Sequence, residues 1–519
     1  MKKLSDSDSA FNAVILAAGV GSRLKPHTDS VPKALVRVNN RSIIKYELEA
    51  LASISSNVKV YVVVGYLGKL IAEEIKRLNL GLDVEIVDNV DYDTTNNMYS
   101  LSLAMNRIGD NLRPTVILNG DVIYDSRIID GIFNDKRQDL IAVDIDAYLE
   151  ESMKVIQENG NLIKISKSIE QKDALGTSID LYKLSIPSFI TLKNKIENII
   201  KSGRLRDWTE VAINELLKTG EYPAEAFDIE KNPWWEIDNL DDLRIAEIIF
   251  RKDSSMGNLM EKDLFVFDFD GTLVLGEQPT EGALEFIDFL RSNKKHVVII
   301  TNNSSRGIDE TRLLASRLLS TDFAIEEVFS STHATLKYLK NSKKTEVFVV
   351  GTKNFISDLK DGGVSNNHTN PDSVVVGFDT ELTYEKLRKA TLFLREKKSY
   401  IATHSDLVCP TDEGLIPDAG AILALLKASS GREPDIILGK PNTVFIDMIA
   451  ESKGIQPDRI AVFGDRLYTD MRMGLESGCL AALLLTGETR VTDLSKTPYL
   501  PHFVFCSLGE VLEYWQKQS

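Results

Sequence analysis

Ala13-Val14-Ile15-Leu16-Ala17-Ala18-Gly19-Val20-Gly21-Ser22-Arg23-Leu24 is the stretch from which the fold is read. Four apolar residues in an unbroken run, bounded by small ones, suit a strand buried on both faces. The glycines at 19 and 21 then supply a tight loop at the strand's carboxyl end. Outward from this point the pattern repeats. Ile43 to Leu51 has helical spacing, Val58 to Val64 is a β-branched strand, and Lys69 to Leu78 is a second helix. Thr115 to Leu118 is a strand that ends in Asn119-Gly120-Asp121. Strands alternating with helices predict an α/β unit with a mostly parallel, Rossmann-like sheet covered on both faces. The pattern lapses over 252–262 and restarts with Leu264 to Phe267, followed by Asp268-Phe269-Asp270-Gly271-Thr272. His296 to Ile300 then runs into Thr301-Asn302-Asn303. We expect one unit at 11–251, a linker at 252–262 and a second unit at 263–519, after a disordered tail of residues 1–10.

The chain has 519 residues, 43% hydrophobic and 27% charged, as expected of globular protein. A net charge of −16 argues against a nucleic-acid binder or a protein held on anionic lipid. Local cations can still hold small phosphates. No apolar run approaches the roughly 18 residues of a membrane span, so direct membrane insertion is not expected. The N-terminal residues lack the apolar core of a signal peptide. Cys409, Cys479 and Cys506 cannot all pair and read as reduced thiols of a cytoplasmic protein. Assembly into a homo-oligomer stays open.

The first glycine loop is neither a dinucleotide fingerprint, which needs glycine where Leu24 stands, nor a Walker loop. The longer string Leu16-Ala17-Ala18-Gly19-Val20-Gly21-Ser22-Arg23-Leu24, with Pro26, Thr28 and Pro32-Lys33-Ala34-Leu35, closely resembles the signature of sugar-phosphate and alcohol-phosphate nucleotidyltransferases. The resemblance extends over about 12–250. It implies that Leu16, Ala17, Ala18, Gly19, Gly21 and Arg23 cradle a nucleoside triphosphate, together with Asn119 and Gly120. It also implies that Lys25 and Lys33 contact phosphates, and that Asp121 and Asp238 share one Mg²⁺. Such a charge set suits the chemistry, because two anions must meet when a substrate phosphate attacks the α-phosphorus. Asn96-Asn97-Met98-Tyr99-Ser100-Leu101 and Trp234-Trp235-Glu236-Ile237-Asp238-Asn239 are similar to choline-phosphate and related cytidylyltransferases, which favours CTP as a substrate. Asn97, Trp208, Trp235 and Glu236 are the residues expected to meet the acceptor. Aromatic walls can hold a quaternary ammonium, and packing in the core is the alternative for at least one of these tryptophans. Choline, glycerol, inositol or other polyol phosphates and aminoalkyl phosphonates all stay open.

In the second half, two carboxylates spaced two apart after a strand can divide their roles. Asp268 would attack phosphorus, and Asp270 would protonate the leaving oxygen and then activate water. Thr301 and Asn302 can hold the phosphate, Lys440 in Gly439-Lys440-Pro441 can neutralise it, and Gly464-Asp465-Arg466-Leu467-Tyr468-Thr469-Asp470 supplies carboxylates for Mg²⁺. These four ordered motifs resemble the haloacid dehalogenase superfamily, in its p-nitrophenyl-phosphatase and phosphoglycolate-phosphatase-like branch. The resemblance implies a Mg²⁺ site of Asp268, Asp270, Asp465 and Asp470, and an inserted α/β cap at about 333–435. The branch usually has Asn-Pro-Asp where this chain has His404-Ser405-Asp406, so His404 is either a substrate contact or an exposed loop residue.

Together these readings give a bifunctional enzyme acting on small-molecule phosphates. One site would transfer a cytidylyl group from CTP to an alcohol phosphate, and the other would hydrolyse a phosphomonoester. Two alternatives stand beside it: a sugar-1-phosphate nucleotidyltransferase using UTP or dTTP fused to a phosphatase, or one catalytic unit joined to a non-catalytic regulatory module.

Overall fold

The computed structural model describes residues 10–54, 57–251, 256–411 and 414–518. The expected N-terminal tail, save its last residue, and residues 252–255 of the expected linker lie outside them. The chain divides into two compact units. One ends at Phe250 and includes Arg490–Lys496; the other runs Arg251–Thr489 and resumes at Thr497.

The first unit is built on a nine-stranded sheet. Phe11–Ala17 lies at its centre, parallel to Val58–Val64 on one side and to Thr115–Asn119 on the other. Asp83–Asp88 extends the parallel part. Beyond Thr115–Asn119 the sheet changes sense. Gly176–Leu184 runs antiparallel to it and also pairs antiparallel with Leu140–Ile145 and Lys154–Glu158. The sheet is therefore mixed rather than mostly parallel. Ala13, Val14, Ile15, Val60 and Val62 are fully buried, as an apolar run covered by helices on both faces requires. The helix expected at Ile43–Leu51 runs Ile43–Ile54, and the second runs Gly68–Leu78.

The second unit has a six-stranded sheet in the order Val328–Ser330, His296–Thr301, Leu264–Asp268, Ile460–Gly464, Leu480–Leu484, Phe503–Phe505. Every pairing in it is parallel. A second parallel sheet of five strands lies in the insert, from Glu346–Val350 to Ile436–Ile437, with a hairpin of Val408–Thr411 and Gly414–Pro417. The helix Ser331–Asn341 buries Ala334 and Leu339 in one cluster with Val298 and Ile300 of the main sheet and Val347 and Val349 of the insert's sheet. The linker is shorter than 252–262, because Met256–Met260 is helical and Leu259 is buried in the second unit's core. No helix among the described residues is long and apolar enough to cross a membrane.

Candidate active sites

In the first unit, the carboxyl ends of Phe11–Ala17 and Thr115–Asn119 open onto a cleft of about 360 Å³. This is where open α/β sheets bind ligands. Gly21 takes a left-handed backbone, φ +66°, and a Cβ there would come within 3.1 Å of Thr28 and 3.0 Å of Lys33. The loop thus closes on itself, with the Thr28 hydroxyl donating to the Gly21 carbonyl at 2.7 Å.

Of the residues expected here, Leu16, Ala17, Ala18, Gly19, Gly21, Arg23, Lys33, Asn97, Asn119, Gly120, Asp121, Trp208, Glu236 and Asp238 all line the cleft. At its floor the Lys33 ammonium bridges Asp121 at 2.8 Å and Asp238 at 2.7 Å, and Arg23 donates to Asp238 at 2.7 Å. Burial works to lower the Lys33 pKa, but the two carboxylates more than offset it, so the amine stays charged. Burial, then the neighbouring Asp121 and Asp238, push Glu236 up to about 8.

Two expected residues do not belong to the cleft. Lys25 is largely exposed, pairs with Asp29 at 3.3 Å, and is absent from the lining. Trp235 is 4% exposed and packs away from the cleft, because side chains alternate along Trp234–Glu236 and Glu236 takes the cleft side. Trp208, 44% exposed, does line it, with the Lys167 ammonium 5.0 Å above its ring. The Asn97 side-chain carbonyl accepts from the Thr209 N–H at 2.9 Å, and its amide donates to the Glu210 carboxylate. Asp180, Glu210 and Lys167 also line the cleft and were not singled out from sequence. Asp180 lies on Gly176–Leu184, Glu210 on the helix Thr209–Thr219, and Lys167 in the turn after Asn161–Ser166.

In the second unit three parallel strands end together. Asp268 terminates Leu264–Asp268, Thr301 terminates His296–Thr301, and Asp465 follows Ile460–Gly464. Asp268, Asp465 and Asp470 bring carboxylate oxygens within 4.8 Å of one another. Lys440 sits between them, in contact with Asp268 and 2.7 Å from Asp470. Burial and the neighbouring Asp470 push Asp465 up to about 6.

Three buried carboxylates share the Lys440 ammonium, and the Arg466 guanidinium that also acts on Asp465 is shared with Asp406 and Glu488, so negative charge is left over, the setting in which a hard divalent cation is held. The Asp465 Oδ1 atom is buried without a hydrogen-bond partner. Backbone crowds the cluster: a Cβ on Gly271 would lie 2.5 Å from Asp465 Oδ2, and one on Gly487 1.9 Å from it. These residues fit Mg²⁺. The Asp270 carboxylate is not in the cluster. It lines a cleft of about 40 Å³ with Asp268, Thr301, Asn303, Lys440 and cap residues.

Two further expectations change. Asn302 lines the cleft, yet its side chain is spent on the chain itself. It accepts from the Lys440 N–H at 2.8 Å and donates to the Lys440 carbonyl at 3.3 Å and to Asp406 at 3.1 Å. It positions Lys440 rather than offering an amide to phosphate. His404 is fully buried, not an exposed loop residue.

A unit with paired carboxylates at a parallel sheet's carboxyl edge, a lysine between them and an inserted cap is a phosphatase of the haloacid dehalogenase type. The family model for haloacid dehalogenase-like hydrolases matches residues 265–365, one for HAD-hydrolase-like proteins matches 437–511, and one for nucleotidyl transferases matches 12–148. The chain is 30% identical to the 5'-nucleotidase YutF of Bacillus subtilis over 253 residues, 48% of this chain and 97% of that protein. It is 32% identical to the acid sugar phosphatase of Staphylococcus aureus over 256 residues, 49% of this chain and 98% of the relative. Among solved structures, the 4-nitrophenylphosphatase of Thermotoga maritima is 42% identical over 49% of this chain and 98% of its own, with a TM-score of 0.48. The chain belongs to the haloacid dehalogenase-like hydrolase family through its C-terminal unit, and it carries a nucleotidyl transferase domain before it.

Proposed function

We propose that the chain is a bifunctional enzyme that transfers a cytidylyl group from CTP to an alcohol or polyol phosphate and, at a separate site, hydrolyses a small phosphomonoester. The observation that carries this reading is the repeated motif of a buried lysine held between two carboxylates at a strand-end cleft. Lys33 lies between Asp121 and Asp238, and Lys440 between Asp268 and Asp470.

In the first site, an oxygen of the acceptor phosphate attacks the α-phosphorus of CTP and pyrophosphate leaves. The glycine loop orients the triphosphate through backbone N–H groups. Lys33 and Arg23 offset the repulsion between the two anions. In the second site, an Asp268 carboxylate oxygen attacks phosphorus while Asp270 gives its proton to the departing alkoxide. Asp270 then takes a proton from the water that hydrolyses the aspartyl-phosphate, releasing phosphate and restoring Asp268. Lys440 and the Thr301 hydroxyl hold the phosphoryl oxygens. Asp121 and Asp238 in one site, and Asp268, Asp465 and Asp470 in the other, would hold Mg²⁺, which would supply positive charge to these anionic reactions.

The sequence strings around Asn97 and Trp235 support CTP and an alcohol phosphate. The two sites act on different phosphates, since a shared one would be destroyed before transfer. The test uses the full chain carrying Asp268→Asn, so that acceptors survive. Pyrophosphate release is followed with Mg²⁺, each common nucleoside triphosphate, and a panel of alcohol, polyol and sugar phosphates. Turnover with CTP and one alcohol phosphate is expected. Turnover with UTP or dTTP and a hexose phosphate would overturn the cytidylyl assignment.

A further inference from the structure

Beyond the residues that meet the phosphoryl group, the second cleft is lined by Asp406, Val408, Cys409 and Asp418 from the insert and by Arg466. Most of the polar groups among these have partners. Asp406 accepts from Asn302 at 3.1 Å and lies 3.6 Å from Arg466, whose guanidinium also meets Glu488 at 2.9 Å. Asp418 is different. Its Oδ1 accepts from His404 Nε2 at 2.9 Å and from the N–H of Ala419, the first residue of the helix it caps. Its Oδ2 takes no hydrogen bond among the described residues.

A polar chain fixes Asp418 in place. The Phe378 N–H donates to the Ser304 hydroxyl at 2.9 Å. Ser304 and Thr403 hydroxyls meet at 3.2 Å, and Thr403 meets His404 Nδ1 at 2.8 Å. One orientation satisfies every member: Ser304 donates to Thr403, Thr403 to Nδ1, and Nε2–H to Asp418. Ser304, Thr403 and His404 are all fully buried. With both ring nitrogens engaged, His404 has no lone pair to give a metal ion, although it stands beside Asp406 and Asp418. The chain instead keeps Asp418 a rigid carboxylate with one oxygen unmet. Asp418 is 5% exposed and lines the cleft, so that oxygen is open to a ligand there, and a site built to receive a hydrogen-bond donor discriminates against ligands that lack it.

We propose that Asp418, oriented by His404, is the specificity-determining residue of the phosphatase site, and selects phosphomonoesters whose alcohol carries a hydrogen-bond donor, a hydroxyl or an ammonium, near the ester oxygen. This rests on the reading of the second unit as a phosphatase. Asp418 acts on the leaving group, and His404 is a positioning residue that acts through Asp418.

The full chain is assayed with Mg²⁺ for phosphate release from four probes: p-nitrophenyl phosphate, propyl phosphate, glycerol 3-phosphate and 3-aminopropyl phosphate. The expected result is a kcat/KM for one donor-bearing ester at least about 10-fold above that for propyl phosphate. Asp418→Ala should shrink that ratio to within about 3-fold, mainly through KM, and His404→Gln should shrink it part of the way. Asp418→Asn separates the two sources: it keeps an oxygen acceptor for a hydroxyl but loses the charge that holds an ammonium. No preference in the native protein, or an equal loss on all four esters in Asp418→Ala, overturns the proposal. Failure of the native protein to hydrolyse even p-nitrophenyl phosphate overturns the phosphatase reading along with it, and so is distinguishable from failure of the selectivity alone.

Discussion

Replacing Lys440 with methionine removes the ammonium that contacts Asp268 and Asp470 in a buried cluster of Asp268, Asp465 and Asp470. Lys440 is 4% exposed and its ammonium lies 2.7 Å from Asp470. At an effective dielectric constant near 20, that separation corresponds to about 6 kcal/mol of attraction. The contact with Asp268 adds to it. Against this stands the cost of burying the ammonium, several kcal/mol, which the variant no longer bears. Breaking a buried pair by deleting one partner leaves a net loss of about 3–5 kcal/mol, or roughly 10² to 10⁴ in the opening equilibrium. Hydrogen exchange read by mass spectrometry localises the effect to peptides covering Leu264–Asp268 and Ile460–Gly464, the strands that carry the cluster. In EDTA, Lys440→Met should lose protection there by that factor, while peptides over Phe11–Ala17 keep theirs. Added Mg²⁺ should restore more protection to the variant than to the native protein, because the carboxylates it meets are less neutralised. Unchanged protection in EDTA would refute the claim that Lys440 holds the cluster together.

Three other outcomes are expected. His333 is held down to about 4 by burial, its Nδ1 accepting the Ser330 N–H at 3.0 Å. The unfolded chain therefore takes the proton first, and stability that is complete above pH 6.5 should fall, by at most about 3 kcal/mol, as pH drops towards 4. Urea unfolding of the native protein and His333→Gln at several pH values checks this, and the slope should weaken in the variant. Trp235→Ala should destabilise the first unit by about 3–5 kcal/mol without a selective effect on acceptor KM. Trp208→Ala should raise acceptor KM at little cost in stability, as pyrophosphate release and thermal unfolding will tell. Gly271→Ala places a Cβ 2.5 Å from Asp465 at φ +88°. Phosphate release should fall by at least about 100-fold while pyrophosphate release from the first site persists.

Much of each site could be read from sequence because its residues sit at strand ends, where local pattern and chemistry coincide. Asp268, Thr301 and Asp465 each close or follow a short apolar run, and a parallel sheet brings such ends together whatever the distance along the chain. The parts that were not legible depend on pairing and partners. The mixed sense of the first sheet is set by Gly176–Leu184 lying against Thr115–Asn119, and no local pattern specifies that antiparallel neighbour. Asp180 lies on that strand and Glu210 on the helix Thr209–Thr219, so their spacing from the glycine loop carries no signal. Trp234 and Trp235 are both buried, at 2% and 4% exposure, and of that strand only Glu236 lines the cleft, which their aromatic character does not announce. Asn302 follows Thr301 as a phosphate-holding residue would, yet its amide is consumed by the Lys440 backbone.

The same arrangement in two unrelated sheets has a common electrostatic origin. A site that must receive a phosphate and a divalent cation needs carboxylates for the cation and positive charge for the phosphate, within a few ångströms of each other. Carboxylates gathered in a buried cleft lose solvation and repel one another, and so take up protons, as Glu236 illustrates at the first site: burial, then Asp121 and Asp238, push it up to about 8 even with Lys33 acting to lower it. A lysine placed among them offsets part of that repulsion, and its flexible stem lets the ammonium turn towards an incoming phosphoryl oxygen. Arginine would not serve in the same way, since its planar fork fixes two hydrogen bonds at once. Lys33→Arg and Lys440→Arg should therefore retain the fold yet lose most of the corresponding activity. Near-native turnover in either variant would mean that charge alone, not the reach of the ammonium, is what the site requires.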